Sequence, residues 1–531
     1  MRKKKLKRQL EQSYGQTPDL MYFPGALNGI RTYFDHRYVN DVDDFLIDEI
    51  TWKDLAGDEL FKRINQGLST PGEQYLYYLL RSPSVTQEEY QKREALLGIM
   101  EKNPDLRLSL QVILAKLGRR KAAKRTEVFA PSSRSLEKLI FYLFLVAVFI
   151  GSGVGALFYP PVIVLFASLA LFMPIYSHVL TNRIERELET LNYSVSMVYA
   201  ASQIKKKTFP ELEEPLAPLY QTVTRLKPLS RYGTVPTRSG ASGIAAILNY
   251  FFLFNLIVYE IVKNKLGKYH QEIFEVHEYL GRLDSAIAIA SYRKSLDTYA
   301  VPQIDFSAAA KYVRGTDLVH PLIKDAVPND FDTVASVLLT GSNASGKSTF
   351  LRTVALNAIL AQSICTVLAS RYESSVFRIY SSMAITDDLF AGDSYFVAEI
   401  KSLRRMANAD TSKQSLLCVI DEVLRGTNTI ERIAASSELL EHLATEKRLC
   451  LAATHDMELC TMLDSRYRMF HFEETVTDEG EILFDYAIKE GPARTRNAIK
   501  LMESLGFDGG MIRRANEKAN RFIADGGWGV R

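Results

Sequence analysis

Cysteine is scarce in this sequence: Cys365, Cys418, Cys450 and Cys460 are the only four, with no C-x-x-C pair and no histidine pattern beside them. That scarcity argues against a metal cluster and a disulfide scaffold, and fits a reducing compartment. A chain of 531 residues builds two or three domains with cores of their own and needs no covalent staples. Net charge is also nearly absent, at +3 from 65 basic and 62 acidic residues. A balance this even does not demand a nucleic-acid partner, because local basic stretches matter more than the sum. The basic start, Met1 to Arg8, runs into Gln9-Leu10-Glu11-Gln12-Ser13 and not into an apolar core. It therefore reads as a solvated tail, assigned to residues 1–44, and not as a secretory leader.

The most local absence is of charge. No Asp, Glu, Lys or Arg occurs from Leu139 to Asn182. Leu139 to Leu157 and Pro161 to Leu180 are each about the ~20 residues an apolar helix needs to cross a bilayer. Gly151-Ser152-Gly153 and Tyr159-Pro160-Pro161 punctuate the middle. The expectation is a transmembrane hairpin at 139–180; the competing reading is a helical hairpin buried inside a soluble domain. Arg119, Arg120, Lys121, Lys124 and Arg125 precede it, and Arg183 and Arg186 follow. Positive flanks stay cytoplasmic, so the expected location is the cytoplasmic membrane with both ends inside. A second charge-free run, 239–259, contains Asn249, Tyr250 and Asn255. A third crossing would separate the flanking segments, so a buried or interfacial helix is expected there, followed by one long helix over Glu260 to Lys294.

Past Arg314 the pattern changes from helical to alternating strand and helix. Val337-Leu338-Leu339-Thr340, Leu416 to Ile420 and Leu449 to Ala453 are short apolar runs of the kind that form buried parallel strands. The first runs into Gly341-Ser342-Asn343-Ala344-Ser345-Gly346-Lys347-Ser348-Thr349, a G-x-x-x-x-G-K-S pattern opening a helix predicted over Thr349 to Gln362. Glycines at both ends let backbone N–H groups turn inward around phosphate oxygens, and the helix start adds partial positive charge. Lys347 is expected to reach the β and γ phosphates of ATP and Ser348 to ligate Mg2+.

The second run ends in Asp421-Glu422, two carboxylates at the edge of a sheet where ligands bind. Asp421 is expected to hold Mg2+ through water. Glu422 is expected to act as the base on the attacking water. The third run ends in Thr454-His455-Asp456, which would set His455 to sense the γ phosphate.

Between these elements lies Asp387-Asp388-Leu389-Phe390-Ala391-Gly392-Asp393-Ser394-Tyr395-Phe396-Val397-Ala398-Glu399. This run resembles the signature segment of the MutS family of mismatch-repair ATPases, and Asp421 to Thr429 resembles its acid-bearing strand end. Asp48 to Leu55, Pro71 to Leu76 and Leu283-Asp284-Ser285-Ala286 resemble its helical core; Phe484-Asp485-Tyr486 to Ala515 resembles its closing segment. The resemblance implies a multidomain chain with a mostly α-helical core and lever region at 45–310, carrying the transmembrane hairpin. An α/β P-loop ATPase domain of ABC type would follow at 311–531. It also implies a homodimer in which Gly392 and Ser394 reach the partner's nucleotide, Ser394 being the catalytic contribution in trans, and double-stranded DNA as a partner.

Several family features are missing. With the helical core expected to begin within some fifty residues, neither a mismatch-reading domain before it nor a nuclease-like extension after the ATPase is expected. Ala326-Val327-Pro328-Asn329 offers no aromatic to stack on adenine. Two functions stay open: a membrane-anchored, MutS-like ATPase that binds DNA, with Lys205, Lys206 and Lys207 as phosphate contacts, or a membrane mechanochemical ATPase whose partner is a lipid bilayer or a protein.

Overall fold

Asn103-Pro104 opens a helix and Gly118 closes it. Proline fits the first helical position, where no N–H is needed, and Gly118 takes φ 71° to stop the helix Pro104–Leu117. Devices of this kind set out a helix-rich chain with two larger mixed or mostly parallel sheets. The computed structural model describes residues 2–525 except 19, 41–44, 84–85, 121–135, 208, 231–243, 308–310, 343–344, 384–394, 425–426, 477–481, 494–498, 500–501 and 504–505.

Two units are distinguished by their internal contacts. The first comprises Met1–Asp43, Ile64–Leu79 and Lys92–Ser295; the second comprises Asp44–Arg63, Leu80–Gln91 and Leu296–Arg531.

The first unit is helical. Its core is centred on the helix His270–Ser295, where Leu280, Leu283 and Ile287 are buried. Gly281 permits a close approach, since a Cβ there would lie 2.6 Å from Tyr75 Cβ and 2.9 Å from the Pro71 carbonyl. Asp284 is fully buried and accepts hydrogen bonds from the Leu68 N–H (3.0 Å), the Ser69 N–H (2.7 Å) and the Ser69 hydroxyl (2.5 Å).

Two long apolar helices follow. Leu136–Phe158 is turned back by Tyr159 and the short 3-10 turn Pro160–Val162 into Ile163–Lys207, a helix of 45 residues. Gly153 lets Phe166 approach, and the Phe149 and Phe166 rings stack at 5.2 Å. In the most apolar 18 residues of Leu136–Phe158 and of Pro160–Glu185, only 17% and 11% are buried.

The region after the hairpin differs from expectation in two places. The third apolar run is not one helix but two, Ile244–Phe252 and Phe254–Lys268, broken at Leu253 with φ 50° and ψ 31°; residues 239–243 lie outside the described set. The long helix expected over Glu260 to Lys294 is likewise interrupted at Tyr269, between Phe254–Lys268 and His270–Ser295.

The second unit carries the strands β1 (Gln303–Asp305), β2 (Val313–Leu318), β3 (Asn329–Thr333), β4 (Ser336–Thr340), β5 (Arg371–Ser375), β6 (Phe377–Ser382), β7 (Ser415–Asp421), β8 (Arg448–Ala453), β9 (Tyr467–His471), β10 (Glu474–Val476), β11 (Ile482–Phe484) and β12 (Lys489–Glu490). The main sheet has the order β12-β9-β4-β8-β7-β6, parallel from β9 to β6, with β12 antiparallel at its edge. Strands β4 and β7 are buried along their whole length. The apolar runs singled out in the sequence are the neighbours β4, β8 and β7, and burial on both faces explains their lack of alternation. A mixed sheet, β1-β5-β2-β3, and the hairpin β10-β11 complete the unit. The short helix Glu49–Asp54 also folds here: Asp54 accepts from the Ser381 hydroxyl (2.7 Å) and the Met383 N–H (2.9 Å) at the end of β6.

Candidate functional site

Strand β4 delivers its chain end into a turn that only glycine can make at its first position. Gly341 sits at φ 134°, and a Cβ there would lie 2.4 Å from the Phe472 carbonyl oxygen. Gly346 at φ 113° closes the turn, and the helix Lys347–Ile364 starts immediately after it, two residues earlier than the sequence suggests. The turn is a cradle. The Ser345 hydroxyl is buried and has no hydrogen-bond partner among the described residues. Lys347 folds back over the loop, its Nζ donating to the carbonyls of Gly341 (2.8 Å) and Ser342 (2.7 Å). The Ser342 hydroxyl donates to Glu474 Oε2 at 2.7 Å. Asn343 and Ala344 lie outside the described residues.

Strands β7 and β8 bring the acids and the histidine to the same edge. Asp421 ends β7 and is largely buried. Glu422 leaves the strand with φ 58°, its N–H donating to the Ala453 carbonyl at 3.0 Å. That left-handed turn swings its carboxylate to 3.0 Å from His455 Nε2, which also lies 3.4 Å from Lys347 Nζ. With its proton on Nε2 the ring donates to the carboxylate; without it, the same nitrogen accepts from Lys347. The turn holding His455 is braced at both ends: the Thr454 N–H donates to the Leu339 carbonyl (2.9 Å), and Arg432 makes a two-pronged pair with Asp456 (3.0 and 2.6 Å). Glu399, buried on the helix Tyr395–Ala407, accepts from the Leu424 N–H at 2.6 Å and so ties that helix to the loop after the acids. Gly392 and Ser394 fall outside the described residues.

A cavity of about 470 Å3 opens beside the loop. Lys347, Ser348, Thr349 and Glu422 line it, as do Phe472 and Tyr486. The two aromatics were not singled out as site residues by the sequence, because they come after the loop and not before it. The only sequence signal was the segment Phe484-Asp485-Tyr486. Asn329 fixes that segment, donating to the Tyr486 carbonyl (3.0 Å) and accepting from the Ile488 N–H (2.7 Å). His320, also on the wall, is pushed down to about 4 by burial and by the nearby Arg352, so it stays neutral there. The cradle with its Ser345 hydroxyl, the lysine, a helix start and an aromatic wall fit a phosphate-bearing ligand with a planar base. Ser348 and Asp421 offer oxygen donors of the type Mg2+ takes.

Sequence comparison defines the class of this second unit: residues 337–523 match the family model for MutS domain V. The chain is similar to DNA mismatch repair protein MutS of Fervidobacterium nodosum, 29% identical over 313 residues, covering 57% of this chain and 38% of the relative. It is 30% identical over 267 residues to the protein of the same name from Natronomonas pharaonis, covering 48% and 30%. Against that from Thermus thermophilus the identity is 33% over 201 residues, covering 37% and 24%. The matches thus span a quarter to two fifths of the length of these relatives. The similarity to these MutS proteins is carried by the second unit, whose residues 337–523 match MutS domain V.

Proposed function

We propose that this protein is a MutS-like ATPase of the P-loop ABC type, anchored in a membrane and active as a homodimer. The observation that carries the reading is the convergence of Lys347, His455 and Glu422 on one glycine-bounded loop. Residues Gly341 to Thr349 would hold the phosphates of ATP, and Ser348 and Asp421 the Mg2+. Bound Mg2+ neutralises charge on the phosphate oxygens. Glu422 orients a water and accepts its proton; His455 positions the Glu422 carboxylate; Tyr486 and Phe472 exclude solvent from the base. The left-handed turn at Glu422 supports this role, because it separates the base from the Asp421 carboxylate one residue earlier.

The family supplies the dimer. Ser394 and Gly392 complete the partner's site, so Ser394→Arg leaves ATP binding intact and blocks hydrolysis. A monomer that hydrolysed ATP at full rate would remove this arrangement.

The exposed apolar hairpin supports the membrane anchor. A hairpin belonging to the core of a soluble domain would be covered, whereas large apolar side chains such as Leu143, Phe144, Leu157, Phe158 and Leu171 are exposed. Two crossings leave residues 311–531 on the cytoplasmic side, with the basic flanks. Sedimentation of the full chain with membranes after a high-salt wash tests the anchor.

Double-stranded DNA is the partner that the named relatives suggest. Retention of duplex DNA by the solubilised protein, weakening steeply with salt, is expected. No retention at low salt would transfer the reading to a mechanochemical ATPase acting on lipid or protein.

A further inference from the structure

Resting on the membrane reading above, we infer that the broken helix Ile244–Phe252 and Phe254–Lys268 is re-entrant, dipping into the bilayer beside the hairpin and turning back at Leu253. The helix Ile244–Phe252 has 9 residues, so it is roughly 13 Å long, less than half of a hydrocarbon core. Its contacts are to the charge-free interior of the hairpin. Phe251 and Phe252 meet Phe149 with ring centroids at 6.0 and 6.1 Å, and Leu253 and Leu256 are buried with Tyr142 and Met173. Ile247, Leu248 and Phe254 face outward and exposed, where lipid would cover them.

A break in a helix at that depth frees backbone polar groups that hydrocarbon cannot satisfy, a cost of several kcal/mol for each. Here side chains of the same cluster meet them. The Asn249 side-chain oxygen accepts the Asn255 N–H at 3.2 Å, and the Ser177 hydroxyl donates to the Asn249 carbonyl at 2.9 Å. Asn249, Asn255 and Leu253 are all buried. The first of these bonds explains why Asn249 stands in an otherwise apolar run: its side chain caps the turn.

The described segments before and after the broken helix pack on the same charged continuation of the second hairpin helix. After the break, Phe254–Lys268 leads to Tyr259, whose hydroxyl bonds Glu187, and to Lys263, 3.5 Å from the same carboxylate. Glu187 lies in the charged continuation of the second hairpin helix. The chain leading into the run packs further along that continuation, with Lys205 Nζ donating to the Tyr220 carbonyl at 2.8 Å. A full third crossing would require the two ends to lie on opposite faces.

The test uses the full chain in phosphatidylcholine–phosphatidylglycerol vesicles. Single-cysteine variants are made at Lys227 and Lys268 (the two ends), Leu157 (the hairpin turn), and Ile247 and Leu248. With a membrane-impermeant maleimide, Lys227→Cys and Lys268→Cys are expected to label from one side and Leu157→Cys from the other. Ile247→Cys and Leu248→Cys resist labelling from either side, and a fluorophore attached there before reconstitution is quenched by spin-labelled acyl chains. Labelling of the two ends from opposite sides would replace the re-entrant segment with a third span while leaving the hairpin in place. Ready labelling of Ile247→Cys from water, without quenching, would also overturn it. Loss of the protein from vesicles in alkaline carbonate, or labelling of Leu157→Cys on the same side as Lys227→Cys, would instead remove the membrane reading itself.

Discussion

His455 Nε2 lies 3.0 Å from the Glu422 carboxylate, joining the ends of two neighbouring parallel strands. The pairing depends on a left-handed backbone at Glu422, which a non-glycine residue takes only where the surroundings hold it. Its consequence is that the two residues separate binding from turnover. Glu422→Gln should retain ATP and slow phosphate release by about 10²–10⁴-fold, the range for loss of a general base. Nucleotide retention and single-turnover phosphate release, measured on the same preparation, check this; normal turnover would count heavily against the assigned role.

Lys347 acts at the preceding step. Its ammonium holds the loop through Gly341 and Ser342, so Lys347→Ala removes both the charge that meets phosphate and the clasp on the cradle. Binding of a fluorescent ATP analogue should be abolished while the circular dichroism spectrum is unchanged.

Asp54 ties the N-terminal segment to the strand end that precedes the signature run. It accepts from Ser381 and from the Met383 N–H, while its carbonyl accepts from Arg352 Nε (2.9 Å) on the helix that starts at the phosphate loop. Asp54→Ala leaves two buried donors unmet and should cost about 2–3 kcal/mol. Asp54→Asn keeps an acceptor and should cost less. Urea unfolding followed by the fluorescence of Trp52, two residues away, reads the difference.

His277 predicts a pH dependence. Burial pushes it from 6.5 down to about 3, and its Nε2 lies 2.8 Å from the Gln74 side-chain oxygen, so the folded protein keeps the ring neutral. The unfolded chain takes up the proton below pH 6.5. The contribution is therefore complete above pH 6.5 and is lost as pH falls from 6.5 towards 3. Between pH 7.5 and 5.5 the wild type should lose about 1.4 kcal/mol more stability than His277→Gln. Equal losses in the two proteins would show that the ring is protonated in the fold.

What the sequence made legible was local. Strands β4, β7 and β8 announce themselves because a strand buried on both faces is an unbroken apolar run, and each ends in a residue with chemistry: Gly341, Asp421-Glu422 and Thr454-His455. The aromatic wall was hidden, since Tyr486 reaches the cavity only through the fold, far along the chain from the loop. The attachment of Asp54 to the end of β6 was hidden for the same reason. The break at Leu253 carries no glycine or proline to mark it; it is imposed by packing and by the Asn249 hydrogen bonds, which exist only once the helices have met.

The helix Ile163–Lys207 runs through apolar and charged sequence without leaving the helical ladder. At 45 residues it is roughly 68 Å long, which on the membrane reading proposed above makes it a single mechanical beam with one half in each solvent. A tilt imposed on the charged half must be met in the apolar half, either as tilt or as bending at Pro174, where one backbone bond is missing. On that reading, motion outside the bilayer is obliged to register within it.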